Sequence, residues 1–134
     1  MKWTELTIQT GRRAGAFDIT QECAAFVARE GDGLLNVFVP HATCGLVVME
    51  LGSGSESDLQ EALERLLPHD DRWVHQHGTK GHGADHVVPA FAAPSISVPV
   101  IDGRLALGTW QSIGLLDTNV DNERRTVRLS FVGA

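Results

Sequence analysis

The chain has 134 residues, 43 % hydrophobic and 21 % charged, with a formal net charge of −6 at pH 7. That length organises one core and is short of surface for two, so residues 1–134 are expected to form a single domain, and the apolar share excludes disorder. The acidic balance counts against nucleic-acid binding, which needs Lys and Arg to displace counterions from phosphates; Arg124, Arg125 and Arg128 are the one basic cluster. Cys23 and Cys44 are too few for a disulfide framework, and no basic segment with an apolar run opens the chain, so a cytoplasmic protein with reduced thiols is expected. No apolar stretch approaches the roughly 20 residues of a membrane-spanning helix, so no membrane partner is expected.

Lys2 to Thr10 alternates through Leu6 and Ile8 as an edge strand, and Gly11 to Gly15 reads as a turn. Thr20 is placed to cap a short helix over Gln21 to Glu30, with Gly31 as its stop. Leu34–Pro40 and Gly45–Glu50 are strands rich in branched residues, broken by His41-Ala-Thr-Cys44. After the loop Gly-Ser-Gly-Ser-Glu-Ser, Ser57 and Gln60 form a capping box for a helix carrying Leu59, Leu63, Leu66 and Leu67, which Pro68 ends. From His69 to Asp85 the chain is polar and glycine-rich, a loop by composition. Ser95–Ile101, Arg104–Trp110, Gln111–Asp117 and Arg124–Val132 then read as strands, with Asp102-Gly103 as a two-residue hairpin turn. Strand follows strand without an intervening helix in this half. The expected class is α+β, a mainly antiparallel sheet or sandwich with two or three short helices.

Five of the six histidines fall between His69 and His86. His75 and His77 project from one side of an extended segment, and His82 and His86 share a face if that segment is helical, so either pair can chelate a metal; a solvated His/Gly loop is the alternative. His69 is expected to be solvent-exposed and silently replaceable. Cys44 follows His41 by three residues, but on a strand such positions face opposite sides, so core burial is the better reading than a Cys/His pair. Glu50 ends an apolar strand before a flexible loop, where a carboxylate is either a site acid or the first solvated residue. Trp110 and Gln111 end the strand after the hairpin, where composition alone allows core and surface as readily as a site.

In order along the chain, His41-Ala-Thr-Cys-Gly-Leu-Val-Val-Met-Glu-Leu51, Trp73-Val-His-Gln-His77, Ala84-Asp-His-Val-Val-Pro-Ala-Phe91, Ser95 to Ser112 and Arg124 to Ala134 resemble the motifs of the YjbQ-like family, the secondary thiamine-phosphate synthase proteins. The run from Pro99 to Gln111 is the most specific. The resemblance implies that the family's histidines fall on His41, His75 and His86, holding a divalent metal or acting as positively charged phosphate contacts, its strand-end acid on Glu50, which positions or deprotonates, and its pocket wall on Trp110 and Gln111. It further implies a compact α+β sandwich and a homotrimer with the site close to a subunit boundary.

The activity so implied joins a hydroxymethylpyrimidine pyrophosphate to a thiazole phosphate with release of pyrophosphate, on a small phosphorylated molecule as partner. Arg104 and Arg124 are candidates for clamping phosphate, because guanidinium makes two parallel hydrogen bonds to it, and Thr43 stands where a serine is common. A divalent metal is the expected cofactor, with zinc favoured by neutral imidazoles over magnesium. The chain departs from the family pattern in two further places. Gly81-His-Gly83 replaces an acidic pair, and Asp117-Thr-Asn119 replaces Glu-His-Arg. Escorting pyrophosphate on a hard cation needs oxygen ligands, so the missing acids favour an alternative: a non-catalytic trimeric protein that binds a metal or small ligand.

Overall fold

The computed structural model describes residues 1–134. The strands are β1 (Lys2–Gln9), β2 (Gly15–Asp18), β3 (Gly33–Phe38), β4 (Cys44–Met49), β5 (Ser95–Ile101), β6 (Arg104–Leu105), β7 (Ser112–Asp117) and β8 (Arg124–Gly133), with helices α1 (Thr20–Val27) and α2 (Ser55–Leu66). Two 3₁₀ turns, His82–Ala84 and Val88–Ala90, interrupt the long connection from α2 to β5. All pairings are antiparallel, in a five-stranded sheet of order β1-β8-β3-β5-β6 and a three-stranded sheet of order β2-β7-β4. The class is α+β, as expected.

Period-two alternation decides which residues meet. Leu35, Val37, Val98, Val100, Val127, Leu129 and Phe131 face inward from the large sheet onto Cys44, Leu46, Ile113 and Leu115 of the small one, with Ile19, Cys23 and Val27 closing one end. The other face of the small sheet is also covered: Leu116 packs on Leu67, Ala84 and Val88, so α2 and the 82–90 segment form a third layer. The outer face of the large sheet has no such cover. There Val132, Leu34 and Pro99 lie in one cross-strand row, and Leu34 and Val132 are exposed. Cys23 and Cys44 are free and buried, and burial pushes both thiols up to about 12.

The hairpin turn forms as its chemistry dictates. Asp102 and Gly103 both take positive φ, 50° and 72°, and Ile101 pairs directly with Arg104. Its second strand stops at Leu105, however, because beyond one further bond from Ala106 N–H to Pro99 the chain leaves β5 and turns through Gly108–Gln111. The chain from Ala106 to Trp110, expected in a strand, is irregular for that reason. Residues 15–18, beyond the expected Gly11–Gly15 turn, form β2 on the edge of the small sheet.

Both helix starts differ from expectation. Thr20 is the first residue of α1 and not its cap; Asp18 Oδ1 accepts the Thr20 N–H, and Thr20 Oγ1 accepts the Ile113 N–H from β7. The helix ends at Val27, ahead of the expected Glu30. In α2 the Ser57–Gln60 capping box does not form, because Gly54 already turns the chain at Ser55 and Gln60 donates to the Ala14 carbonyl.

Candidate metal centre

The 68–90 connection is irregular but heavily bonded. Trp73 Nε1 donates to the Pro68 carbonyl at 2.8 Å, and Gln76 Nε2 donates to the Asp71 and Trp73 carbonyls, which fixes the approach to His75. Gly83 makes the next step possible. A Cβ there would lie 2.4 Å from the His75 carbonyl oxygen and 2.5 Å from Trp73 Cβ, so only glycine lets the 73–75 segment lie directly on the 82–84 turn. The two histidine pairs of the sequence thereby become one group.

His75, His77, His82 and His86 each turn a ring nitrogen inward, and these ligand atoms all lie within 4.8 Å of one another. The Nε2 atoms of His82 and His86 are 2.8 Å apart. His75 and His77 are exposed and His82 is buried, so the group closes one side of a cavity of about 220 Å³ that also touches Thr79 and Lys80. Desolvation, then the neighbouring His77 and His82, holds His75 below the usual imidazole pKa; desolvation, then His75 and His82, does the same for His86. Both shifts favour the neutral ring, the form a metal ligates.

His82 is held from behind. Its Nδ1 lies 3.1 Å from Asp121 Oδ2 and 2.5 Å from Asn119 Nδ2, and Asp121 in turn accepts the Thr79 hydroxyl at 2.6 Å. A carboxylate behind the distal nitrogen is the arrangement that orients metal-ligating histidines. Asp85, buried beside them, accepts from Asn119 on one oxygen and from Thr118 and His69 on the other, and His69 reaches on to Glu64 at 2.7 Å. His69 is thus not the freely exposed residue expected. Burial opposes its charge, but the hydrogen bonds to Glu64 and Asp85 outweigh it and hold its pKa above the usual value. The donor set fits a borderline divalent cation: four imidazoles, backed by a carboxylate.

The expected trio does not assemble within one chain, since His75 and His86 meet while His41 stands outside the group. The reason lies in the sheet. β3 leaves β8 at Arg128, and His41 Nε2 accepts the Thr126 N–H at 2.9 Å where that strand would otherwise have continued. Burial, then the Arg125 guanidinium, holds His41 below the usual imidazole range. Thr43 is buried and its Oγ1 accepts from Arg125, which also binds Asp117 at 2.6 Å in an ion pair wholly inside the protein.

Trp110 is 73 % exposed, which excludes the core reading, and Gln111 Oε1 accepts the Gly108 N–H. The pairing of Met49 with Ser112 sets Glu50 opposite Gln111, so these three site candidates cluster at one end of the small sheet. The histidines lie off the other end, where Cys44 pairs with Asp117; five residue steps of strand separate those ends, about 17 Å. Arg124 opens β8 just after the loop carrying Asn119 and Asp121, whereas Arg104 sits in the hairpin beside the end of α1. Sequence reasoning missed Asp121 and the buried Asp85–Asn119 pair, whose only signal was the polar Thr118–Glu123 segment between two apolar strands.

The sequence pattern described as UPF0047 protein YjbQ-like matches residues 4–134. A UPF0047 protein of Mycobacterium bovis is 58 % identical over 127 residues, covering 95 % of this chain and 98 % of its own. One of Archaeoglobus fulgidus is 36 % identical over 123 residues, covering 92 % and 96 %. Among solved structures, a hypothetical protein of Aeropyrum pernix superposes with a TM-score of 0.90 at 30 % identity over the whole of both chains. A YbjQ-like protein of unknown function from Sulfolobus solfataricus gives 0.91 at 23 % identity, covering 99 % and 97 %, a likeness of fold. With the match running through both the histidine segment and the Trp-Gln turn, the chain belongs to the YjbQ-like UPF0047 family.

Proposed function

We propose that this protein is a metal-dependent enzyme acting on a small phosphorylated molecule, with zinc at His75, His77, His82 and His86 and thiamine-phosphate synthesis as its reaction. The observation that carries the metal is the convergence of four imidazole nitrogens within 4.8 Å, with Asp121 behind His82. A bound divalent cation supplies positive charge to a phosphate or pyrophosphate group held there. The chain's own residues do the rest: Lys80 lines the cavity beside the centre as a phosphate contact, the exposed Arg124 at the start of β8 is a further candidate, Trp110 offers an exposed ring face to a heteroaromatic substrate, and Gln111 and Glu50 fix its polar edge.

Within one chain the Glu50–Trp110–Gln111 group lies at least about 17 Å along the sheet from the histidine end, too far to share one substrate. This separation supports the homotrimer, in which that group of one subunit faces the histidines of the next. The bare outer face of the large sheet, with its Val132–Leu34–Pro99 row, supplies apolar surface for such packing. Two free, buried cysteines are in keeping with a cytoplasmic setting.

A second reading, a non-catalytic metal- or small-ligand-binding protein, is favoured by one feature. Four imidazoles fill a tetrahedral shell, while a catalytic zinc keeps a position open. Metal analysis of the purified protein, followed by assay of thiamine phosphate formation with zinc, with magnesium and after chelation, separates the two. About one zinc per chain and product formation abolished in His75→Ala is the expected result. Bound metal without product in any condition selects the second reading; no metal retained or taken up removes the metal centre from both and leaves only a small-ligand-binding protein.

A further inference from the structure

A second cavity, of about 400 Å³, opens between α2 and the 82–90 segment, on the opposite side of Asp85 from the histidines. Its floor is apolar, made by Leu63, Leu67, Ala84 and Val88. Its polar wall is richer in acceptors than in donors, the Ser57 hydroxyl and the second Gln60 amide proton being the donors to spare. Both ring nitrogens of His69 are engaged, at 2.7 Å to Glu64 and 2.7 Å to Asp85. The Thr118 hydroxyl donates to Asp85, and Gln60 spends an amide proton on the Ala14 carbonyl. What this wall still offers is acceptor capacity: unused lone pairs on the Glu64 and Asp85 carboxylates and on the Gln60 carbonyl.

Charge points the same way. Two carboxylates on the wall face at most one positive charge, that of His69, and Glu61 at the rim adds another negative group whose partner is Arg65. An anion entering here would meet carboxylates and no free cationic donor. A positively charged group rich in N–H meets the lone pairs that His69, Thr118 and Asn119 leave unused on Glu64 and Asp85. The volume lies in the range of small-molecule pockets, about 300 to 1,000 Å³.

We infer that this cavity is a binding site for a small organic cation, an ammonium or amidinium group on a compact apolar body, with the body on the Leu63–Val88 floor and the N–H groups on Glu64 and Asp85. The phosphorylated partner proposed for the histidine centre does not fit this wall, so the two sites take different chemistry. The inference is independent of the metal.

Benzamidine is the probe, with benzoate as its anionic counterpart. Each is titrated into full-length, chelator-treated protein and followed by amide ¹H–¹⁵N shifts. Benzamidine is expected to give saturable shifts at Ala84, Val88 and Thr118, and benzoate to bind at least about tenfold more weakly. Glu64→Gln is expected to weaken benzamidine about tenfold, and Leu63→Trp, which fills the floor from a partly exposed helix position, to abolish it. Equal binding of benzoate, shifts unaltered in Glu64→Gln, or no saturable shift by about 10 mM would overturn the assignment. Should Leu63→Trp not fold, Glu64→Gln decides alone. Because the titration runs without metal, its failure is distinct from failure of the zinc centre.

Discussion

His69 was read from sequence as a solvated loop residue, and the difference is instructive because it rests on partners 5 and 16 residues away. Glu64 precedes it on the helix and Asp85 follows it in the turn, and no periodicity announces either. Its raised pKa fixes the sign of a stability effect. Below the unfolded value, near about 6.5, the charged ring is fully paired; as pH rises through the higher folded value the contribution is lost. Glu64, held low first by its hydrogen bond from His69, contributes above the ordinary carboxylate range and loses that contribution as pH falls through its depressed value. The stabilisation is therefore largest between the two. His69→Gln should lower the melting temperature clearly at pH 6 and much less at pH 8.5, as read by thermal unfolding at both values. Asp117 is the second residue whose effect follows from burial. Asp117→Ala leaves the Arg125 guanidinium inside without its partner, and chemical denaturation should record a loss of about 3–5 kcal/mol.

At the scale of elements, the strands with strong alternation were legible because branched residues in period two have few other homes: β3, β4, β5, β7 and β8 fall within a residue or two of expectation. What was not legible was decided by tertiary partners. β2 exists because β7 offers a free edge, and the strand after the hairpin ends because the chain turns at Gly108. The same holds in the site. Spacing gave the His75/His77 and His82/His86 pairs as separate chelating options, but their union depends on Gly83, which spacing does not mark. His41 carried the family motif and no local sign that β8 would claim its ring. The 73–86 element thus makes two predictions. Gly83→Ala should abolish zinc binding while far-ultraviolet circular dichroism of the sheets stays near wild type. Asp121→Asn should leave the four rings in place and weaken zinc about 10- to 100-fold in a competitive chelator titration, because it removes only the orienting carboxylate.

For the whole molecule, the unanswered surface is the outer face of the five-stranded sheet together with the Trp110 turn. Trp110 at 73 % exposure contributes little to the fold of one chain, so Trp110→Ala should change the unfolding free energy of isolated subunits, read by chemical denaturation, by no more than a typical surface change, about 0.5 kcal/mol. Sedimentation velocity on wild type and on Leu34→Glu, whose side chain lies in the centre of the exposed row, tests the assembly. A trimer that dissociates in the variant is expected; a wild-type monomer at all concentrations removes the proposal of a shared site. Zinc affinity should stay unchanged in Leu34→Glu, since all four imidazoles come from one chain.

The four imidazoles and the sheets are drawn from chain segments of very different span. The strand pairings join residues from the two ends of the chain, as when Lys2 meets Phe131, whereas every imidazole of the centre falls between His75 and His86. Closing a loop of about a dozen residues costs little chain entropy compared with closing one ten times longer. Nor is any sheet strand drawn from that segment. Should the proposed cation bind, its loading and unloading would run as a local opening and closing on a standing scaffold, so that metal exchange and the lifetime of the folded sheets would be set by two different clocks.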